Sequence, residues 1–170
     1  MKNNLSNFDV AIVGFGPIGQ FVSNLLNQYN LKVAIIEKSP GINHYPRANT
    51  IDDEIMRYIN KLDILAEFKN KTSPPDFIEF TFPNGKTIQS NPVKNTLNGF
   101  PAVTMFHQPD LEKLLSKNIM SSENIEIFFE NELIDFKDKD NQITLTTRSA
   151  DKKNNIIIKT KFLLACDGSE

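Results

Sequence analysis

One stretch constrains the fold more than any other: Phe8–Glu37, with Gly14-Phe15-Gly16-Pro17-Ile18-Gly19 at its centre. Asp9–Val13, just before the glycines, is an apolar run rich in β-branched residues, fit for a strand buried on both faces. After the turn, Ile18, Phe21, Val22, Leu25, Leu26 and Tyr29 recur at helical spacing and predict one apolar helix face. Lys32–Ile36 predicts a second strand, which ends on the acid Glu37. Strand, glycine turn, helix, strand and acid in this order make the βαβ unit that binds dinucleotides.

Each part has a physical task. Gly14 permits the tight turn, Gly16 lets the backbone approach a pyrophosphate, and Gly19 allows close helix–strand packing. The helix N-terminus presents free N–H groups and partial positive charge to the phosphates. Pro17 is tolerated there because a first-turn N–H has no intrahelical partner. Glu37, 18 positions after Gly19, is placed to accept hydrogen bonds from an adenosine ribose. Its charge repels a 2′-phosphate, which predicts FAD or NAD over NADP.

The rest of the composition narrows the class. A chain of 170 residues is long enough for one domain with a sizeable core. A net charge of −2 gives no reason to expect a nucleic acid or an anionic membrane surface as partner. Cys166 is the only cysteine, so the chain forms no internal disulfide and suits a reducing compartment. Met1–Asn7 is polar and leads straight into the first strand, which predicts no signal peptide. No apolar run approaches the ~20 residues that span a bilayer. A cytoplasmic location is expected.

Beyond Glu37, Lys38–Thr50 reads as a loop, and Asp52 or Asp53 starts a helix carrying Ile55, Met56, Ile59 and Leu62 on one side. A helical patch, Ile64–Phe68, follows, then the breaker Ser73-Pro74-Pro75-Asp76. Phe77–Phe82 and Lys86–Gln89 flank Pro83-Asn84-Gly85, a hairpin signal that interrupts the βαβ alternation. Ala102–Met105 predicts a short strand, and Gln108–Ile119 a helix with Leu111, Leu114, Leu115 and Ile119 facing inward. Ile125–Phe129 predicts another strand. Glu132–Phe136, Ile143–Thr147 and Ile156–Ile158 read as an exposed β-meander, and Phe162–Cys166 as a separate, buried strand before Asp167-Gly168. Only four residues follow that strand, too few for a covering helix, so the layer over it is expected from elsewhere.

Three later motifs carry a family resemblance. They are Tyr45-Pro46-Arg47-Ala48 continuing to Ile51-Asp52-Asp53-Glu54, Gln108-Pro109 with Leu111-Glu112, and Leu164-Ala165-Cys166-Asp167-Gly168. With the glycine motif and Glu37-Lys38, the chain resembles the class A FAD-dependent aromatic hydroxylases, most of all the 3-(3-hydroxyphenyl)propionate hydroxylase branch. The resemblance implies an α/β fold with a Rossmann-like FAD-binding βαβ core, an inserted antiparallel β-hairpin and a β-meander, incomplete at the C-terminus. Residues 1–170 would form the N-terminal part of the FAD-binding domain. Within it, roughly 74–105 would begin the substrate-domain sheet and 131–161 form the meander.

The resemblance also implies roles. Gly14, Gly16, Pro17, Gly19, Glu37 and Lys38 would hold the ADP half of FAD. Arg47 would sit beside the flavin, Gln108 would bond the ribityl chain, and Leu133 would meet adenine through its backbone. Asp167 and Gly168 would serve both FAD and the NADH or NADPH donor. A phenolic small molecule and O₂ would be the substrates. No catalytic residue is named, because the flavin carries the difficult chemistry. The family's later Gly-Asp…Ala-His segment does not occur here, so the chain alone is expected to be inactive and to self-associate through exposed sheet. A non-catalytic nucleotide-binding remnant is the rival reading. An NAD-dependent dehydrogenase domain is a third, which needs none of Arg47, Gln108 or Asp167-Gly168. His44 and His107 are not a metal pair, since no acid or cysteine stands near either at ligand spacing. Cys166 reads as strand filling rather than a reactive thiol.

Overall fold

Val33–Ile36 is buried at every position, the mark of a strand covered on both faces. It is the second of eleven strands in a computed structural model that describes residues 6–42, 45–151 and 155–168. The chain begins with β1 (Ser6–Val13), α1 (Pro17–Asn27) and β2 (Val33–Ile36), then β3 (Thr50–Asp52), α2 (Asp53–Lys61) and α3 (Leu65–Lys69). Four short strands follow, β4 (Thr72–Ser73), β5 (Ile78–Thr81), β6 (Thr87–Ser90) and β7 (Val103–Phe106). Last come α4 (Gln108–Met120), β8 (Ile125–Phe128), β9 (Asn131–Lys139), β10 (Gln142–Ser149) and β11 (Asn155–Ala165). Two compact units divide the chain: Met1–His44 with Leu115–Glu170, and Tyr45–Leu114.

The first unit is built on a six-stranded sheet in the order β8-β2-β1-β11-β10-β9. β8, β2, β1 and β11 run parallel, while β10 and β9 continue antiparallel from β11. Val10, Ile12, Val33 and Ile35 form one core cluster with Phe15 and Ile119, onto which Val22 and Leu26 of α1 pack. Ala11, Ala34, Ile36, Leu145 and Ile158 form a second cluster, supported by Leu133 and Leu163. The fold is the α/β architecture with a partly parallel sheet that the resemblance implies.

Three features of this unit depart from the sequence reading. Ile156–Ile158 and Phe162–Cys166, expected as separate strands, are joined in β11, because the polar Lys159-Thr160-Lys161 between them is satisfied within the sheet. Thr160 is buried and donates to the Phe162 carbonyl at 3.0 Å, and Lys161 pairs with Asp9 at 2.7 Å. The end of β11 is not buried as expected: Phe162 is 64% exposed and Leu164 37%. Both pair in register with buried residues of β1, Val10 and Ile12, so the cover over β1 stops short of its neighbour.

The third departure concerns α1: of the expected apolar face, Ile18 is exposed, Tyr29 falls beyond the helix end and is exposed too, and Gln20, Ser23 and Asn24 are buried instead. Each of these polar side chains finds a backbone carbonyl. Gln20 Nε2 donates to Phe15 O at 2.9 Å, Ser23 Oγ to Gly19 O at 2.6 Å, and Asn24 Nδ2 to Leu115 O at 3.1 Å. With their donors bonded to carbonyls, these polar side chains can be buried.

In the second unit, Asp52 caps α2 by accepting the Ile55 N–H at 2.8 Å, and Met56, Ile59 and Leu62 are buried on the expected face. β7 lies between β3 and β4 in a three-stranded sheet, two of whose strands carried no readable signal because they are two or three residues long. β5 and β6 form the expected hairpin, with Phe80 opposite Ile88.

Candidate functional site

At the carboxyl ends of β2, β1 and β11 the backbones are tied together. Gly14 N donates to Ile36 O and Cys166 N to Val13 O, each at 2.8 Å. In open α/β sheets, the crevice beyond these strand ends is where ligands bind. Gly14 has φ +101°, and a Cβ there would lie 2.5 Å from the Cys166 carbonyl oxygen, so only glycine fits. A Cβ on Gly19 would overlap the Gly14 carbonyl oxygen, so this second glycine lets α1 rest on the turn.

Gly16 differs from both. It is the N-cap of α1 at φ −74° and ψ −177°, an extended conformation open to any residue. Conformation therefore does not explain its missing side chain. The helix it opens has Pro17 at its start, no side-chain cap and no acid in its first turn. Nothing on α1 competes there with an incoming anion for the helix N-terminus.

Glu37 closes the other side of the turn. Its Oε2 accepts the Phe15 N–H and its Oε1 the Ser39 N–H, each at 2.7 Å. The Phe15 ring itself turns inward, edge-on to Phe129 at 5.3 Å. Each carboxylate oxygen has a second lone pair, which leaves the group able to accept from a diol. The glycine turn and Glu37 thus fit a pyrophosphate joined to a ribose.

Asp167 and Gly168 follow β11 beside this turn. Gly168 has φ +89° with open space around it, so glycine is required there by the backbone and not by packing. Burial, followed by the charge of Asp167, pushes the Cys166 thiol above its ordinary range, which keeps it protonated and a poor nucleophile. Lys38 is exposed and lines a cavity of about 240 Å³ with Glu130, Glu132 and Arg148. Leu133 sends its side chain into the Ala11–Ala34–Ile36 cluster.

Arg47 and Gln108 belong to the second unit and are brought together there. Gln108 Oε1 accepts the N–H groups of Arg47 and Ala48 at 2.9 and 2.8 Å. Its Nε2 donates to Glu112 at 2.7 Å. The sequence reading assigned no partner to Glu112, although its spacing of four from Gln108 on one helix face was a usable signal. His107 Nδ1 lies 3.2 Å from Asp110. His44 falls outside the described residues. Among the described residues no group of three or more His, Cys, Asp or Glu is placed to hold a metal ion, and no helix is long and apolar enough to cross a membrane.

Fold and turn together define a dinucleotide-binding α/β protein. Residues 7–170 match the family described as FAD binding domain, and the chain belongs to that family. FAD is its cofactor. The chain is 30% identical over 159 residues to a 3-(3-hydroxy-phenyl)propionate/3-hydroxycinnamic acid hydroxylase of Escherichia coli strain K12 / DH10B. That match covers 94% of this chain and 28% of the relative, so the chain spans under a third of the relative's length. Among solved structures, p-nitrophenol 4-monooxygenase PnpA from Pseudomonas putida DLL-E4 superposes with a TM-score of 0.83 at 16% identity, over 96% of this chain and 42% of that one. The flavin-dependent monooxygenase PieE, in complex with FAD and substrate, does so with a TM-score of 0.82 at 17% identity, over 97% and 31%. These two likenesses speak for the fold.

Proposed function

We propose that this chain supplies the ADP-binding part of an NAD(P)H-dependent monooxygenase acting on phenolic acids. The observation that carries the reading is the Glu37 carboxylate bonded to the Phe15 N–H at 2.7 Å, which sets a ribose acceptor against the phosphate turn. Gly14, Gly16, Pro17 and Gly19 receive the pyrophosphate, Glu37 the ribose hydroxyls, and Lys38 and the Leu133 backbone the adenosine. Arg47 and Gln108 serve the flavin end of the same cofactor, and Asp167-Gly168 its pyrophosphate–ribityl stretch and the nicotinamide donor. FAD, when bound, supplies the redox chemistry with O₂, while the protein orients it and keeps water away. The substrate class follows the 30% identical hydroxylase. The location is cytoplasmic, as the single cysteine suggests.

On their own, the 170 residues bind ADP and the ADP half of FAD but hydroxylate nothing. The chain spans 28% of its relative, and residues 74–105 supply the β5–β6 hairpin and most of β7 toward a substrate sheet. The test is reconstitution of the purified chain with FAD, followed by NADH consumption with and without a 3-hydroxyphenyl carboxylic acid. Weak flavin uptake and no phenol-dependent NADH oxidation are expected. A stably yellow monomer that hydroxylates the acid overturns the reading.

A further inference from the structure

The polar cluster at the start of α4 is buried away from any solvent role: Gln108 is 3% exposed and Glu112 1%. Burying a carboxylate is costly unless it is bonded, so a Glu at this depth needs a reason. The Gln108 amide provides one. Two backbone donors, the Arg47 and Ala48 N–H groups, require an acceptor, and Oε1 meets both at 2.9 and 2.8 Å. At the other end, Nε2 donates to Glu112 Oε1 at 2.7 Å. The two N–H donors fix the amide orientation, and Glu112 is placed to accept from its other end. Removing the acceptor at 112 leaves Nε2 without this partner and the amide anchored only through the Arg47 and Ala48 N–H groups.

We infer that Glu112 is a positioning residue for the cofactor: acting through Gln108, its carboxylate holds the Arg47–Ala48 backbone and so limits where the Arg47 guanidinium reaches. This rests on the proposal that Arg47 serves the flavin end of FAD. Glu112 itself touches neither cofactor nor substrate in this scheme. The same logic allows an exchange. With Gln108→Glu the new carboxylate still accepts from Arg47 and Ala48 but abuts Glu112, whereas adding Glu112→Gln turns that clash back into a donor–acceptor pair.

The test is hydrogen–deuterium exchange on the full chain, together with FAD and ADP affinities, for the parent, Glu112→Leu, Gln108→Glu and the exchanged pair. Amides of Val10–Ile12 and of Met56–Ile59 report whether each variant is folded in both units. Expected are Arg47 and Ala48 amides that exchange about tenfold faster in both single variants. FAD binding should weaken in step while ADP affinity stays within about twofold. The exchanged pair should recover both slow exchange and FAD affinity, and it decides the matter if Glu112→Leu fails to fold. Unchanged exchange at Arg47 and Ala48 in a folded Glu112→Leu, or an exchanged pair no better than Gln108→Glu alone, overturns the inference. Faster exchange with unaltered FAD affinity also overturns it and leaves Glu112 a stability residue. A parent that binds neither ADP nor FAD instead overturns the cofactor reading.

Discussion

Glu37 accepts the N–H of Phe15 across 22 positions of sequence at 2.7 Å, while its other oxygen holds Ser39 at the same distance. The acid at the end of β2 is therefore fixed in place before any ligand arrives. A preorganised carboxylate gives up little freedom on binding, so its preference among ligands is expressed in full.

The first expectation concerns that preference. ADP should bind at least about tenfold more tightly than ADP carrying a 2′-phosphate, because the extra dianion would face Glu37. Isothermal calorimetry with the two ligands measures the ratio. Equal affinities would remove Glu37 from the ribose site.

Gly16 and Gly19 should fail in different ways. Gly16→Val keeps an accessible backbone conformation, so the variant should fold yet lose adenine-nucleotide binding. Gly19→Ala forces a Cβ into the Gly14 carbonyl and should destabilise the fold by about 2–4 kcal/mol, read as a lower urea midpoint. A folded Gly16→Val with undiminished ADP affinity would rule out this turn as the phosphate site.

Asp9 links stability to acid. The Lys161 ammonium at 2.7 Å, then the Lys32 N–H at 3.0 Å, hold its carboxyl below the ordinary range. A lowered folded pKa means the unfolded chain takes up the proton first. The contribution is thus whole above the unfolded value, about 3.9, and drains away as pH falls through the folded one. Urea midpoints should drop between about pH 5 and about pH 2, and by less in Asp9→Asn. An identical drop in that variant would contradict the assignment.

Phe162 and Leu164 make a further expectation. With 64% and 37% of their surfaces open beside the covered Val10 and Ile12, the isolated chain should self-associate as concentration rises. Sedimentation velocity on the parent and on a Phe162→Lys, Leu164→Lys double variant would show it. Association that persists unchanged in the double variant would place the contact elsewhere.

The glycine turn, both flanking strands and the capped start of α2 were legible because each leaves a local signal: spacing, β-branching or a cap three residues from its partner. α1 was placed correctly, but its buried side was misjudged. Hydrophobic periodicity has no means of registering that Gln20, Ser23 and Asn24 donate to backbone carbonyls. The continuity of β11 was hidden for a similar reason, since Thr160 and Lys161 are polar yet bonded to partners remote in sequence. Glu37 was legible as an acid at the right spacing. Its hold on Phe15 and Ser39 emerges only in three dimensions.

The pairing of β1 with β11 has a consequence for how the protein is made. Ser6 lies opposite Ile158 and Val13 opposite Ala165, so among the described residues a central ladder joins β1 to β11. At ~5–20 residues per second, the ribosome needs about 8–30 s to deliver the second half of that ladder after the first has emerged. Throughout that interval one edge of β1 lacks its parallel neighbour and stays available to any other strand it meets. Crowded synthesis, with many nascent chains side by side, should then be this protein's most hazardous moment, and slower initiation or cooler growth the simplest remedy.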